Sequence, residues 1–448
     1  MKRKIYNELK RWKDQWGGKT AILIDGARRV GKSYIAEEFA RNEYKSYLVI
    51  DFNNASQQIK QLFEEQLANL DIFFRQLSLL TGVKFYERQT VIIFDEVQQF
   101  PRARAAIKYL VADGRYDYIE TGSLVSINRN VKDIVIPSEE ERIDMYPMDF
   151  EEFLWAMGND VLMPYIQEQF SALRPMGQAI HRKAMELFRQ YMIVGGMPQV
   201  VLEYATSNDF DKVDHVKRNI LNLYRSDISK YAHGEEQKVT HIFDLIPSML
   251  QRHEKRFRIG NVKHGARTRD YEKSFFWLEE SRVVNICYAT TAPNIGLGLN
   301  REQYKFKLYM ADTGLLISQA FGERAEREDL YRKLMFDKLE VNKGMLVENI
   351  VAQMLKASGK ELFYYSSYSD NADDKMEIDF LIRKQQVTSR HNISPIEVKS
   401  SNRYTLSSLR KCIKKFSAHI ATPYVLHSGD LKVEDGVVFL PLYMTPLL

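Results

Sequence analysis

A chain of 448 residues exceeds what one ordinary hydrophobic core serves, and its 45% hydrophobic and 12% aromatic content supplies material for about two to four domains. The net charge of +5 is too small for this length to imply a polyanionic partner from composition alone. No run approaches the ~18 apolar residues of a membrane helix, "MKRKIYNELKRWK" has no apolar stretch behind it, and Cys287 and Cys412 match no zinc or redox spacing; a soluble cytoplasmic protein with two free thiols is expected.

Residues 20–26, "TAILIDG", read as a short buried strand. "GARRVGKS" follows at once and leads into "YIAEEFARN", where Ile35 and Phe39 lie one turn apart on a helix face. In this context of strand, loop and helix, Gly26, Gly31, Lys32 and Ser33 meet the Gly-x-x-x-x-Gly-Lys-Ser pattern of a phosphate-binding loop. The backbone from Gly26 through Ala27, Arg28, Arg29, Val30 and Gly31 can wrap around phosphates, and the helix N-terminus adds its dipole. Lys32 reaches the β and γ phosphates and the Ser33 hydroxyl takes magnesium, so ATP and Mg2+ are the expected cofactors. Farther on, Val91 to Phe94 form an apolar run ending in Asp95 and Glu96, as a strand buried on both faces should. Asp95 would hold the magnesium and Glu96 would polarise the attacking water. "YDYIETGS" then sets Thr121 and Ser123 at the end of a third strand, where a polar side chain can sense the γ-phosphate.

After the glycine turn in "YMIVGGMPQVV", the chain reads as helical to about residue 255. The next stretch runs from helix through turn to helix, with Tyr271, Phe275 and Leu278 on one face and Phe275, Phe276 and Trp277 expected in a core, before the strand-like "RVVNICY". That order suggests a winged helix, with Arg267, Arg269 and Lys273 on the outer face and Asp270 and Glu272 diluting their charge. A packing module has the same pattern. In "GMLVENIVAQML", Glu348 borders an apolar helix face made by Leu346, Val347, Ile350, Val351 and Met354. "KMEIDFLI" alternates so that Glu377 and Asp379 share one face of a strand, and in "PIEVKS" Glu397 and Lys399 do the same. From Arg383 to Lys415, nine Lys/Arg face one acid, Glu397, and from Arg252 to Lys273 eight face three. Either stretch can be a nucleic-acid surface or a solvated face.

In order, "GARRVGKS", "IIFDEVQ", "TGS" and "MYPMDFEEFL", then "YMIVGGMPQVV", "YRSDISKY", "KLYMADTGLL", "VENIVAQML" and "EIDFLI...PIEVKSS", resemble the bacterial and archaeal AAA-type ATPases that carry an uncharacterised C-terminal region. The resemblance spans nearly the whole chain. It implies an α/β fold with a parallel-sheet P-loop NTPase core (AAA+-like) over 1–175, a helical linker over 176–235, a winged-helix-like domain over 236–330 and an α/β domain over 331–448. The last of these resembles PD-(D/E)xK nucleases, which implies Glu348, Asp379 and Glu397 as magnesium ligands, Lys399 as the catalytic amine, and the basic run after it as a grip on phosphates. Arg142 in "EEERIDMYPM" becomes the candidate arginine finger of a homo-oligomer, with Arg102 and Arg104 as alternatives. The expected function is an ATP-hydrolysing protein that acts on DNA through a nuclease-like domain using magnesium. The alternative is an ATP-dependent switch whose C-terminal domain only binds DNA or a protein partner.

Overall fold

The computed structural model describes residues 1–448 except 123–137, 233, 253–254, 262–264, 266, 295, 337, 340–342, 369–373, 385–387, 389 and 402–403. The chain divides into two compact units, Met1–Tyr146 and Pro147–Leu448. Four segments were expected, with a first boundary near residue 175.

In the first unit, β1 (Ala21–Gly26), β2 (Ser46–Asp51), β3 (Thr90–Asp95), β4 (Asp117–Gly122) and β5 (Glu140–Met145) form one sheet in the order β2-β3-β4-β1-β5. All four pairings are parallel. Parallel neighbours need crossover connections, which here include α2 (Lys32–Glu43), α3 (Gln57–Glu65), α4 (Leu70–Thr81) and α5 (Pro101–Asp113), while α1 (Ile5–Trp16) precedes the first strand. Alternation along the strands feeds two cores. Ile22, Ile24, Val91 and Ile93 pack with Leu9, Ile35 and Phe39 from α1 and α2, while Leu23, Ile92 and Phe94 pack with Phe63, Phe73 and Ile107 from α3, α4 and α5. Burial on both faces is why "TAILIDG" and "VIIF" carry no polar alternation.

The second unit opens with helices α6 (Phe150–Ala156), α7 (Leu162–Ala172), α8 (Gln178–Val194), α9 (Pro198–Ser207), α10 (Phe210–Tyr231), α11 (Glu236–Gln251) and α12 (Glu272–Glu280). Strands β6 (Val284–Thr290) and β7 (Arg301–Met310), helices α13 (Thr313–Ala320), α14 (Arg324–Met335) and α15 (Lys343–Ala357), and strands β8 (Phe363–Ser367), β9 (Met376–Arg383) and β10 (Ile393–Val398) follow. The unit ends with α16 (Ser407–Lys415), β11 (Tyr424–His427), β12 (Lys432–Glu434) and β13 (Val437–Pro441). Its eight strands form one mixed sheet in the order β12-β13-β11-β10-β9-β8-β6-β7.

Two expectations change here. β6 and β7, anticipated within a separate winged helix, continue the C-terminal sheet, because β6 pairs in parallel with β8 at Tyr288 and Ala289. On α12, Phe275 and Trp277 are buried but Phe276 is 56% exposed, since its side chain points away from the Tyr271, Phe275 and Leu278 face. The glycine turn after α8 is also explained. A Cβ on Gly196 would stand 2.1 Å from the Met148 carbonyl oxygen, and the Gly196 N–H donates to buried Asp312 at 2.5 Å.

Candidate functional site

The loop between β1 and α2 is shaped by its glycines. Gly26 has no room for a side chain, because a Cβ there would lie 2.3 Å from the Met145 carbonyl oxygen on the neighbouring strand. Gly31 caps α2 at φ +100°, and Arg29 takes a left-handed φ of +69°. Arg3 clamps the loop from below by donating to the carbonyls of Val30 (3.0 Å) and Tyr146 (2.7 Å).

Lys32 is buried at the first turn of α2, and its ammonium donates to the carbonyls of Gly26 (2.8 Å) and Ala27 (3.1 Å), lying across the loop's concave side. Burial pulls its pKa below the ordinary lysine value, while Glu96, Asp25 and Asp95 oppose the loss of charge. The Ser33 hydroxyl donates to Asp95 Oδ1 at 2.6 Å, and Thr121 donates to the same carboxylate oxygen. A hydroxyl and a carboxylate this close, beside a lysine, form a hard-oxygen donor set that suits magnesium. Glu96 follows at φ +53°; its N–H donates to Thr121 Oγ1 at 3.2 Å and its Oε2 accepts from Gln98 at 2.5 Å. The loop after β1 and the ends of β3 and β4 thus bring together Lys32, Ser33, Asp95, Glu96 and Thr121. Ser123 lies outside the described residues.

The arginine-finger candidates have other partners. Arg142 projects from β5 and bonds buried Asp25 at 2.6 Å, with Asp144 at 3.3 Å. Arg104 is buried in a two-point bond to Glu140 (2.7 and 2.9 Å), and Arg102 donates to the Phe63 and Glu64 carbonyls. All three are committed within their own unit.

The expected second metal site holds lysines. Glu348, on α15, accepts from Lys255, from the Tyr309 hydroxyl and from Lys307, the last at 3.3 Å. Lys307, on β7, is 1% exposed and also meets Glu377 at 2.8 Å and Asp379 at 3.9 Å. Asp379 accepts from the Val398 N–H at 2.8 Å. Glu397, also buried, pairs with Lys399 at 2.5 Å. Burial would raise the Glu348 carboxyl, but Lys255 and Lys307 hold it well below the ordinary carboxylate range. Burial and the Glu348 charge push Asp379 up, and burial pushes Glu397 up against the pull of Lys399. Among the described residues, no three acidic, His or Cys side chains are placed to hold a metal ion, so Glu348, Asp379 and Glu397 do not fit magnesium as they stand.

Arg3, Asp25 and Gln98, together with Lys255, Lys307 and Tyr309, escaped the sequence reading. One signal was available. In "KFKLYM" the alternation sets Lys305, Lys307 and Tyr309 on one face of a strand and the apolar Phe306, Leu308 and Met310 on the other, and a lysine carried into a core by such a strand needs an acid.

A family model described as AAA domain matches residues 18–154. That segment, about a third of the chain, contains the phosphate loop and β1 to β5. Models described as Domain of unknown function (DUF8612) and Domain of unknown function (DUF4143) match residues 185–326 and 343–445. No curated protein matches the chain. Among solved structures, it is similar to the Walker-type ATPase PABY2304 of Pyrococcus abyssi, with 12% identity over 72% of this chain and 96% of that one and a TM-score of 0.41. The STAND protein PH0952 of Pyrococcus horikoshii, which has a tetratricopeptide repeat sensor, is 13% identical over 80% of this chain and 45% of that one, with a TM-score of 0.26. PCH-2 of C. elegans is 12% identical over 46% and 60%, with a TM-score of 0.23. No described helix is long and apolar enough to cross a membrane.

Proposed function

We propose that the AAA-type domain binds and hydrolyses ATP to switch a second unit that holds nucleic acid without cutting it. The observation that carries the ATP half is the 2.6 Å contact between the Ser33 hydroxyl and Asp95 at the mouth of a glycine loop that already contains Lys32. In this reading the loop amides from Gly26 to Ser33 receive the phosphates. Lys32 would exchange its two carbonyl partners for β and γ phosphate oxygens, and Ser33 and Asp95 would hold magnesium, which when bound would supply neutralisation of phosphate charge. Glu96 leaves Gln98 to orient the attacking water, and Thr121 reports on the γ-phosphate through its bonds to Asp95 and to the Glu96 amide. Exposed Lys384, Arg390 and Lys414 support a nucleic-acid partner for the second unit. Lys255 and Lys307, lodged among the expected metal ligands, favour holding over cutting.

The test separates binding from turnover. Lys32→Ala should abolish nucleotide binding, because it removes a contact made to ground-state phosphates. Glu96→Gln should retain binding and lower turnover by about 100-fold or more, because the carboxylate acts on the water. Titration with a fluorescent ATP analogue and a phosphate-release assay read the two effects. Undiminished turnover in Glu96→Gln would remove this residue from its role.

A further inference from the structure

The resemblance to metal-dependent nucleases leads one to expect a divalent cation among Glu348, Asp379 and their neighbours, yet the centre of that cluster is occupied by a side chain of the protein. Lys307 reaches it from β7 and is 1% exposed, so its ammonium is shielded from bulk solvent and depends on partners from the protein. It is held by Glu377 on β9 at 2.8 Å, by Glu348 on α15 at 3.3 Å and by Asp379 on β9 at 3.9 Å. Three carboxylates from two elements converge on one Nζ atom. Lys255 takes the other oxygen of Glu348, and Tyr309 donates to the same oxygen that faces Lys307. The second oxygen of Asp379 is occupied by the Val398 N–H.

We propose that Lys307 is the resident cation of this cluster, so that the second unit takes up no divalent ion at Glu348, Glu377 and Asp379. An ammonium and a divalent ion cannot share the position, because both need the same carboxylate oxygens and two cations held that close repel each other. A buried lysine left among three carboxylates is stable only while they remain its partners. The cluster therefore ties β7, β9 and α15 together by charge, with no exchangeable component. The inference deepens the non-cutting half of the proposed function and is independent of the ATP half.

The experiment uses the full chain carrying Lys32→Ala without nucleotide, so that no metal–nucleotide complex forms at the phosphate loop, and Asp379→Asn tells which ions belong to the cluster. Thermal unfolding is recorded in EDTA, in MgCl2 and in MnCl2, and Mn2+ uptake is counted by electron paramagnetic resonance. The Lys32→Ala protein should show the same Tm in all three buffers and no tightly held Mn2+. Adding Lys307→Met removes the ammonium while keeping much of the side-chain volume. This protein should melt lower in EDTA and gain about 5 °C or more at saturating Mn2+, with one ion held per chain. Adding Asp379→Asn as well should abolish that gain. Mn2+ uptake by the Lys32→Ala protein that is lost on Asp379→Asn would overturn the proposal, since Lys307 would then yield its place to metal. A folded Lys307→Met protein that gains no ion would overturn it too. If Lys307→Met fails to fold, the Mn2+ count on the Lys32→Ala protein still decides. None of these readouts depends on ATP turnover, so they fail or succeed separately from the Glu96 test.

Discussion

Asp25 sits one residue before the phosphate loop and is 1% exposed, so its charge must be met from inside the molecule. Arg142 meets it at 2.6 Å. Because the guanidinium is 38% exposed and partly screened, Arg142→Ala should cost about 1–3 kcal/mol rather than the full price of orphaning a buried charge. Asp25→Asn combined with Arg142→Ala should recover part of that loss in urea unfolding, since no charge is then stranded. An arginine acting in trans would behave differently. Folded Arg142→Ala chains mixed into the parent protein would lower turnover per parent chain, whereas a cis partner of Asp25 leaves it unchanged, which is the expected result in a phosphate-release assay. At this scale the legible residues were those whose partners lie within one motif. Lys32 bonds carbonyls five and six residues away, and the phosphate-loop pattern encodes that geometry directly. Asp25 and Arg142 meet across 117 positions and Lys307 and Glu348 across 41, distances over which a single sequence holds only the need for a counter-charge and not its address.

Among elements, the apolar runs announced β1 and β3, and the alternation in "KMEIDFLI" announced β9, with Ile378 and Phe380 buried and Glu377 and Asp379 half-buried on the other face. What the pattern did not contain was which strands pair. "RVVNICY" suggests a winged helix because it follows two helical segments, but β8, the strand beside β6, lies more than seventy positions on. One polar element inside the first sheet gives a further test. Glu120 on β4 is fully buried between Leu23 and Phe94 in register, and neither of its carboxyl oxygens meets a donor among the described residues. Burial raises its pKa well above the ordinary glutamate value, the nearby Glu140 carboxylate adds to the rise, and Arg104 opposes it. The folded state therefore keeps a proton that the unfolded chain gives up once the pH passes the ordinary carboxylate value. Stability contributed at low pH is lost as pH rises toward the raised value. Glu120→Gln imitates the protonated form, and its amide can donate to Glu140. The variant should be more stable than the parent at about pH 9 and show a flatter dependence of urea midpoint on pH. A parent protein whose stability rises steadily through the same range, with Glu120→Gln following it, would mean that the carboxyl is ionised in the fold.

Over the whole molecule, the net charge of +5 conceals an uneven distribution, and the fold redistributes it again. Counted along the chain, Arg383 to Lys415 is an excess of +8; in space, acids from outside that stretch come in to meet it. Arg383 faces Glu361 at 3.6 Å, Arg410 faces Asp435 at 3.8 Å and Lys415 bonds Asp374 at 2.6 Å, while Lys399 is taken by Glu397 within the run. Arg403 lies outside the described residues. Lys411 donates to the Lys375 carbonyl at 3.3 Å, and exposed Lys384, Arg390 and Lys414 have no acid partner among the described residues, so these three can neutralise phosphates without first leaving a carboxylate. Each phosphate neutralised on duplex DNA contributes about 0.9 to the slope of log affinity against log salt, so three such residues predict a slope near −3 and not the steeper value, near −7, that the full excess would give. Fluorescence anisotropy with a labelled duplex at several salt concentrations measures it. Reversing Lys384, Arg390 and Lys414 to glutamate together should weaken binding to every sequence alike and flatten the slope, because contacts to the backbone carry no sequence information. Lys415→Glu alone should change the slope little, since that ammonium is already engaged by Asp374. A triple variant that binds as the parent does, with the same slope, would make the basic run a solvated face and leave a protein as the partner of the second unit.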